Sequence, residues 1–405
     1  MLPVLIPMFV FTCVVLLLAS AVLGARRRLA PAMEVPIIVN GQRTLTASTG
    51  DKLLWQLASH DIYLPAACGG RCACGQCKVQ VTSGGGGILP TEISHLTRGE
   101  IQQGLRLACA LTVRQALEIR LPKDVMQARN WSAQVRSNRH LSTFLKELVL
   151  ELPEPMEFEA GDYVLLRAPT GDIAFADFAI DGEYQPEWQR LGLLDLVARV
   201  DEPTLRAYSL ANPPAAATTV RLVVRIATPP SHAPPDTPPG MVSSYIFSLA
   251  PGDHVELSGP FGEFHAQDST REMVLIGGGA GIAPLHSMIL DQLESKRSGR
   301  AISFWYGARN LRELCYRDEF EALERRHPNF RYEVALSQPE PTDRWDGAKG
   351  LIHAIAFDTY LHDHPNPEEV EYYLCGPPLM TAAIRAMLED LGVEPQSIFL
   401  DDFGG

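Results

Sequence analysis

The rhythm of apolar and polar positions changes several times along the chain. Residues 2–24 are almost uninterruptedly apolar, with Thr12 and Ser20 as the polar interruptions. About 20 such residues suffice to cross a bilayer as a helix. Residues 36–42 and 44–47 then read as two short strands, a helical pattern covers 52–59, and strand patterns return at 78–81 and 117–121. Ser83 and four consecutive glycines at 84–87 mark a loop between them. A small α+β domain over residues 33–128 is expected. From 129 to 267 short strands alternate with turns, at 143–150, 163–167, 205–210, 221–227 and 254–258, which predicts an antiparallel β-barrel or sandwich. The Pro-rich run 228–240 cannot join a central strand and is expected as a surface connection. From 268 to 405 apolar strands at 273–276, 301–306, 331–335 and 371–374 alternate with helical patterns at 282–293 and 379–391. That alternation predicts a doubly wound α/β domain with a parallel sheet.

Charge and flanking residues refine this picture. Arg26, Arg27 and Arg28 follow the apolar stretch directly, and no Lys or Arg precedes it. The positive-inside rule then makes residues 2–24 a single membrane anchor with the rest of the chain in the cytoplasm. A cleaved secretory signal is the rival, but it wants a positive segment before a shorter apolar run. One helix without ionisable residues offers no ion path, so any ion pumping belongs to partner subunits. The formal net charge of −13 argues against nucleic acid as a partner.

Of the eight cysteines, Cys68, Cys72, Cys74, Cys77 and Cys109 cluster in one region, which in a reducing compartment points to metal rather than disulfides. Cys68, Cys74 and Cys77 are spaced C-x5-C-x2-C, and Cys109 follows after 31 intervening residues. A zinc ribbon would show two C-x2-C knuckles, and this chain has one. A [2Fe–2S] cluster takes three thiolates from one tight loop and a fourth from a distant segment. Gly69, Gly70 and Gly75 suit a loop whose amides turn toward sulfur. Cys72 offers an alternative C-x3-C-x-C set, but one residue between two ligands is a strained bite, so Cys72 reads as a non-ligand near the cluster. Zinc and ligand-free thiols stand as the alternatives.

Three further motifs point to nucleotides. In Arg206-Ala207-Tyr208-Ser209 strand alternation puts Arg206 and Tyr208 on one face. An Arg fork suits a pyrophosphate, an aromatic ring a flat heterocycle, and a hydroxyl a ring nitrogen. With Gly240 and Ser243 at an expected helix start, and Gly259-Pro260-Phe261-Gly262 beyond, the set points to FAD. Gly277 to Gly281, with Gly278 and Gly279 between them and Pro284 after, form a glycine run between a strand and a helix. The run is not G-x-G-x-x-G, yet it lets a pyrophosphate approach a helix N-terminus; a plain tight turn is the alternative. Cys375-Gly376-Pro377-Pro378 ends a parallel strand, where open α/β sheets bind ligands, and Cys375 is expected beside a nicotinamide rather than as a plain core thiol. NADH yields two electrons as a hydride and a [2Fe–2S] cluster accepts one at a time, so a flavin between them makes chemical sense.

On these residues the chain resembles the ferredoxin–NADP reductase superfamily. The cysteine module, the N-terminal apolar stretch, residues 176–178, 205–212 and 303–310 and the tail 399–405 resemble the family of F subunits of Na+-translocating NADH:quinone reductases. The resemblance implies a β-grasp ferredoxin domain, an antiparallel β-barrel FAD domain and an NADH domain. It implies Arg206, Tyr208, Ser209, Gly240 and Ser243 as FAD contacts, and Ser209, Cys375 and Phe403 at the flavin–nicotinamide site. Cys72 departs from the pattern, where serine or threonine is expected. The resemblance further implies a bacterial inner-membrane subunit with its soluble domains in the cytoplasm. Such a subunit oxidises NADH and passes electrons to partner membrane subunits, and so to ubiquinone with Na+ translocation. It implies NADH over NADPH, although the residues leave this open because Arg309 suits a 2′-phosphate. The rival is the NADH-dependent reductase component of a bacterial aromatic oxygenase, which joins similar modules without a membrane helix.

Overall fold

The computed structural model describes residues 33–66, 68–122, 125–126, 128–230, 234 and 237–401, together with Thr12, Val14 and Leu17. The last three are helical and exposed, and the rest of the expected anchor at 2–24 lies outside the described residues. Among the described residues no helix is long and apolar enough to cross a membrane. The chain forms two compact units, one of Met1–Leu64 with Gly75–Met126, the other of Pro65–Cys74 with Gln127–Gly405.

In the first unit, β1 (Glu34–Val39) and β2 (Arg43–Ser48) pair antiparallel. Their alternation buries Ile37 and Val39 on one strand and Leu45 and Ala47 on the other. Asn40 and Gly41 turn the chain between them in the left-handed region, with φ of 52° and 66°. Helix α1 (Leu53–Ala58) buries Leu53, Leu54 and Leu57. Next come β3 (Lys78–Ser83), α2 (Pro90–Ile93), α3 (Arg98–Gln102), β4 (Leu105–Leu107) and β5 (Leu117–Arg120). The five strands form one mixed sheet in the order β2-β1-β5-β3-β4, with β1 and β5 parallel. The pattern-based reading anticipates β1, β2, α1, β3 and β5 but not α2, α3 or β4.

The second unit contains a six-stranded antiparallel sheet. It is built from β6 (Arg129–Ser142), β7 (Leu145–Glu151), β8 (Tyr163–Ala168), β11 (Thr204–Ser209), β12 (Thr219–Arg225) and β13 (His254–Phe261), in the order β11-β8-β13-β6-β7-β12. A bridge between Leu210 and Leu222 joins the segments following and within the two edge strands, giving the sheet its barrel-like closure. A hairpin of β9 (Gly171–Ala174) and β10 (Val197–Val200), with α4 (Gln185–Arg190) between, and helix α5 (Met241–Ser248) complete this part. Trp131, Leu148, Val164, Phe175, Trp188, Val220 and Phe247 share its apolar core. The described residues of the Pro-rich run 228–240 carry no strand, as expected.

A six-stranded parallel sheet follows, in the order β17-β16-β15-β14-β18-β19. Its strands are β14 (Met273–Gly278), β15 (Ile302–Ala308), β16 (Phe330–Leu336), β17 (Ala348–Lys349), β18 (Glu371–Cys375) and β19 (Ile398–Asp401). The sheet is flanked by α6 (Ile282–Leu290), α7 (Arg317–Arg326), α8 (Ile352–Ala356) and α9 (Pro378–Asp390). The β14 and β18 strands are buried throughout, which is why they read as continuous apolar runs rather than alternating ones.

Candidate functional site

The cysteine loop is a run of left-handed backbone: Gly69, Gly70, Cys72 and Gly75 have φ of 63°, 82°, 59° and 68°. At Gly75 a side chain is excluded twice over, since a Cβ there would also sit 2.9 Å from His95 Cβ. This winding turns amides inward. Burial pushes the Cys68 thiol up, but hydrogen bonds from the amides of Ala73, Cys74 and Arg71 and from the Cys74 side chain outweigh it and bring Cys68 down to about 7. The sulfurs meet in pairs: Cys74 Sγ is 3.4 Å from Cys68 Sγ, and Cys77 Sγ is 3.1 Å from Cys109 Sγ. Among the described residues no three His, Cys, Asp or Glu side chains converge as a ready-made metal site. Each pair nevertheless offers two thiolates of the kind a [2Fe–2S] cluster takes, and the Cys68–Cys74 pair is ringed by amides. Cys72 is half-buried on the same loop and makes neither of these sulfur contacts.

Strand β11 carries the next group. Arg206 donates from Nη1 to Leu205 O at 2.7 Å, and among the described residues no carboxylate forms an ion pair with it. Burial, then the nearby Arg71 charge, push its guanidinium down, so an anion placed there would be favoured. Tyr208 is pushed up by burial. Gly240 donates its N–H to Ala227 O at 2.8 Å, and the Ser243 hydroxyl accepts from Ala227 N–H at 3.2 Å, which fixes the start of α5 beside the end of β12. These residues fit FAD: an arginine with no carboxylate partner among the described residues, an aromatic ring beside it and a helix start bearing small residues.

The glycine run and the Cys375 motif are brought together at the carboxyl ends of adjacent strands. Gly277 pairs in register with Cys375, and Cys375 pairs with Asp401. Gly281 passes so close to this row that a Cβ would lie 2.2 Å from Cys375 O, so only glycine fits. Gly278 and Gly279 continue this turn from β14 toward α6, where Pro284 is buried in the first helical turn, and Gly376 follows Cys375 directly. Ser209, at the end of β11, donates from Oγ to Asp401 Oδ2 at 3.0 Å. The structure therefore unites Ser209, Cys375 and the glycine run, while Phe403 lies outside the described residues.

Two residues at this site had no motif to announce them. Asp401 meets Ser209 across 192 positions of sequence. Arg225, the last residue of β12, has Nη1 4.0 Å from where a Cβ on Gly279 would be. Partial burial and the neighbouring Arg309 push Arg225 down, so Arg225 sets a cation beside the glycine turn with a second cation close to it, an environment suited to phosphates. The signals available were an acid in the C-terminal tail and a polar residue ending a strand, both common.

Comparison with known proteins gives matches to three family models. A 2Fe-2S iron-sulfur cluster binding domain matches residues 37–114, an oxidoreductase FAD-binding domain 188–266, and an oxidoreductase NAD-binding domain 275–386. The F subunit of the Na(+)-translocating NADH-quinone reductase of Methylococcus capsulatus is 48% identical over 407 residues, covering 100% of both chains. That of Klebsiella pneumoniae is 50% identical over 399 residues, covering 98% of each. Among solved structures, an Amycolatopsis cytochrome P450 reductase is 26% identical with a TM-score of 0.63, covering 91% of this chain and 98% of its own. A ferredoxin reductase in carbazole 1,9a-dioxygenase is 22% identical with a TM-score of 0.60, covering 92% and 98%, and shows likeness of fold alone. With near-half identity from end to end, this chain belongs to the family of F subunits of the Na(+)-translocating NADH-quinone reductase.

Proposed function

We propose that this chain is the NADH-oxidising subunit of a Na+-translocating NADH:quinone reductase. It takes electrons from NADH in pairs and hands them on singly to partner membrane subunits, which deliver them to quinone and couple the transfer to Na+ movement. The observation carrying this reading is that matches for the cluster, FAD and NAD domains follow one another in a single chain within a full-length family likeness. When bound, FAD accepts a hydride and releases single electrons, and a [2Fe–2S] cluster relays them.

The chain's own residues supply positions and charges. Cys68, Cys74, Cys77 and Cys109 would hold the cluster as its four thiolate ligands. Arg206 neutralises the FAD pyrophosphate, Tyr208 stacks on the flat ring system, and Gly240 and Ser243 offer the start of α5 to phosphate oxygens. Gly278, Gly279, Gly281 and Pro284 admit the NADH pyrophosphate to the start of α6, with Arg225 and Arg309 nearby. Cys375 and Gly376 would line the nicotinamide position, the site to which the family resemblance also assigns Phe403. Ser209 directs its hydroxyl proton at Asp401 Oδ2, so its oxygen would be left to accept a hydrogen bond from a bound flavin.

Residues 2–24 tether the chain to the bacterial inner membrane with the soluble domains in the cytoplasm. Full-length protein is then recovered with membranes, and protein lacking residues 1–25 is not; recovery of both in the soluble fraction defeats the tether. The redox reading is tested by anaerobic titration of the purified protein with NADH. Uptake of about three electrons per chain, two by flavin and one by the cluster, is expected. Uptake of about two, with iron and sulfide present but unreduced, contradicts it.

A further inference from the structure

Helix α6 begins at the glycine turn, and two consecutive side chains within it, His286 and Ser287, are fully buried. Both reach the chain immediately beyond β11. His286 Nδ1–H donates to Ala211 O at 2.8 Å, and Ser287 Oγ donates to Asn212 O at 2.7 Å. The receiving carbonyls are themselves fixed: Ala211 N–H donates to Arg221 O at 2.8 Å, Asn212 Nδ2 donates to Thr219 O at 2.7 Å, and Arg221 N–H donates to Asn212 Oδ1 at 2.8 Å. The helix side is braced as well. The His286 ring stacks on Tyr316, with centroids 4.6 Å apart and planes 5° from parallel, and Tyr316 donates its hydroxyl to Glu147 Oε2 of β7 at 2.5 Å. His286 Nε2 lies 3.1 Å from Glu319 Oε1 of α7.

We propose that His286 and Ser287 are positioning residues that set the separation between the Ser209 end of β11 and the Cys375 end of β18. Ala211 and Asn212 lie two and three positions beyond Ser209; two hydrogen bonds lead on from them to α6, and Gly281 wedges the start of α6 against Cys375 O. No link in that chain is solvated or long enough to stretch. Resting on the function proposed above, the assignment makes these two side chains the spacer between flavin and nicotinamide, although neither touches a cofactor. Transfer of a hydride is steep in distance, and a misplacement of about 1 Å costs up to about a hundredfold in rate.

The test mixes full-length protein, loaded with FAD and cluster, with NADH in the absence of oxygen and follows flavin bleaching. Ser287→Ala and His286→Leu each slow bleaching at saturating NADH about tenfold, with the half-saturating NADH concentration and bound FAD held within about twofold of wild type. Ser287→Thr and His286→Asn keep a donor at similar reach and return the rate to within about threefold of wild type. The long-wavelength charge-transfer absorbance between flavin and nicotinamide reads stacking rather than turnover, and it weakens and recovers in the same order. If His286→Leu does not fold, Ser287→Ala carries the test, because it removes a single hydroxyl. Unchanged bleaching and absorbance in Ser287→Ala overturn the proposal, as does a rate loss that follows FAD loss. Wild-type protein that NADH does not bleach contradicts the functional reading instead, so the two failures are told apart.

Discussion

Cysteines next to one another in sequence differ in what their backbone lets them do. Cys68 gathers amides and Cys74, whereas Cys72 occupies a left-handed position at φ 59°, a conformation that costs a non-glycine residue about 1 kcal/mol. Replacing Cys109 by Ala removes the reduced-cluster EPR signal while NADH oxidation by ferricyanide persists; Cys72→Ser keeps both. Survival of the signal in Cys109→Ala, or its loss in Cys72→Ser, refutes the ligand set. A second residue-scale case is Lys146, buried in the barrel with Nζ donating to Phe247 O at 3.2 Å. Burial brings its ammonium down from 10.5 to about 8, partly opposed by Asp181. The unfolded chain thus binds more protons between these values, and stability rises with pH through that window. Lys146→Met is expected to stabilise the protein at pH 7 by about 1–3 kcal/mol and to remove that rise, measured by urea unfolding at pH 7 and 10. Spacing and residue type made Cys68, Cys74, Cys77 and Cys109 readable as a group. The Ser209–Asp401 contact was not, because nothing local in a chain marks a partner 192 residues away.

Elements were legible where burial is one-sided or complete. β1, β8 and four strands of the parallel sheet, β14, β15, β16 and β18, follow the expected alternation or apolar runs, whereas the short edge strands β17 and β19 were not anticipated. β6 escaped the pattern although Trp131, Ala133 and Val135 alternate inward. Its register shifts after Val135 and again after His140, so its second half loses the period of two and reads as polar loop. α2 and α3, at 4 and 5 residues, are too short to show a helical period. They exist because side chains close them: Thr97 and Glu100 cap α3 reciprocally, and Glu92 anchors α2. Glu92 is buried and accepts from Arg106 Nε at 2.9 Å, Arg106 Nη2 at 2.7 Å and Leu107 N–H at 2.9 Å. Burial raises its pKa, but these bonds prevail and hold it below 4.5. For a carboxyl depressed on folding, the stabilisation is present above the ordinary 4.5 and fades as pH falls through the folded value. Glu92→Gln leaves Arg106 buried without its counter-charge and is expected to cost about 3–5 kcal/mol at pH 7, with the difference from wild type shrinking in acid. Equal denaturation midpoints for the two proteins at pH 7 would show that the pair is dispensable.

At the scale of the whole molecule, the order of the modules was readable because each has its own hydrophobic period, and the family likeness runs through all of them. What the sequence could not convey is how the parallel sheet orders its strands. The row Gly277, Cys375 and Asp401 exists because β18 and β19 return beside β14 after β15, β16 and β17 have been laid on its other side. That crossover puts a glycine turn, a thiol and a tail carboxylate at one edge facing Ser209, and it is the basis for assigning NADH entry there. The direction of electron flow is the claim everything else serves. Its most direct test is rapid mixing of the FAD- and cluster-loaded protein with NADH, with flavin absorbance and freeze-quenched EPR recorded on the same time axis. The account predicts that flavin bleaching comes first and that the [2Fe–2S] signal grows afterwards, in wild type but not in Cys109→Ala. A cluster signal that appears before any flavin bleaching, or that never appears while the flavin is fully bleached, would contradict it.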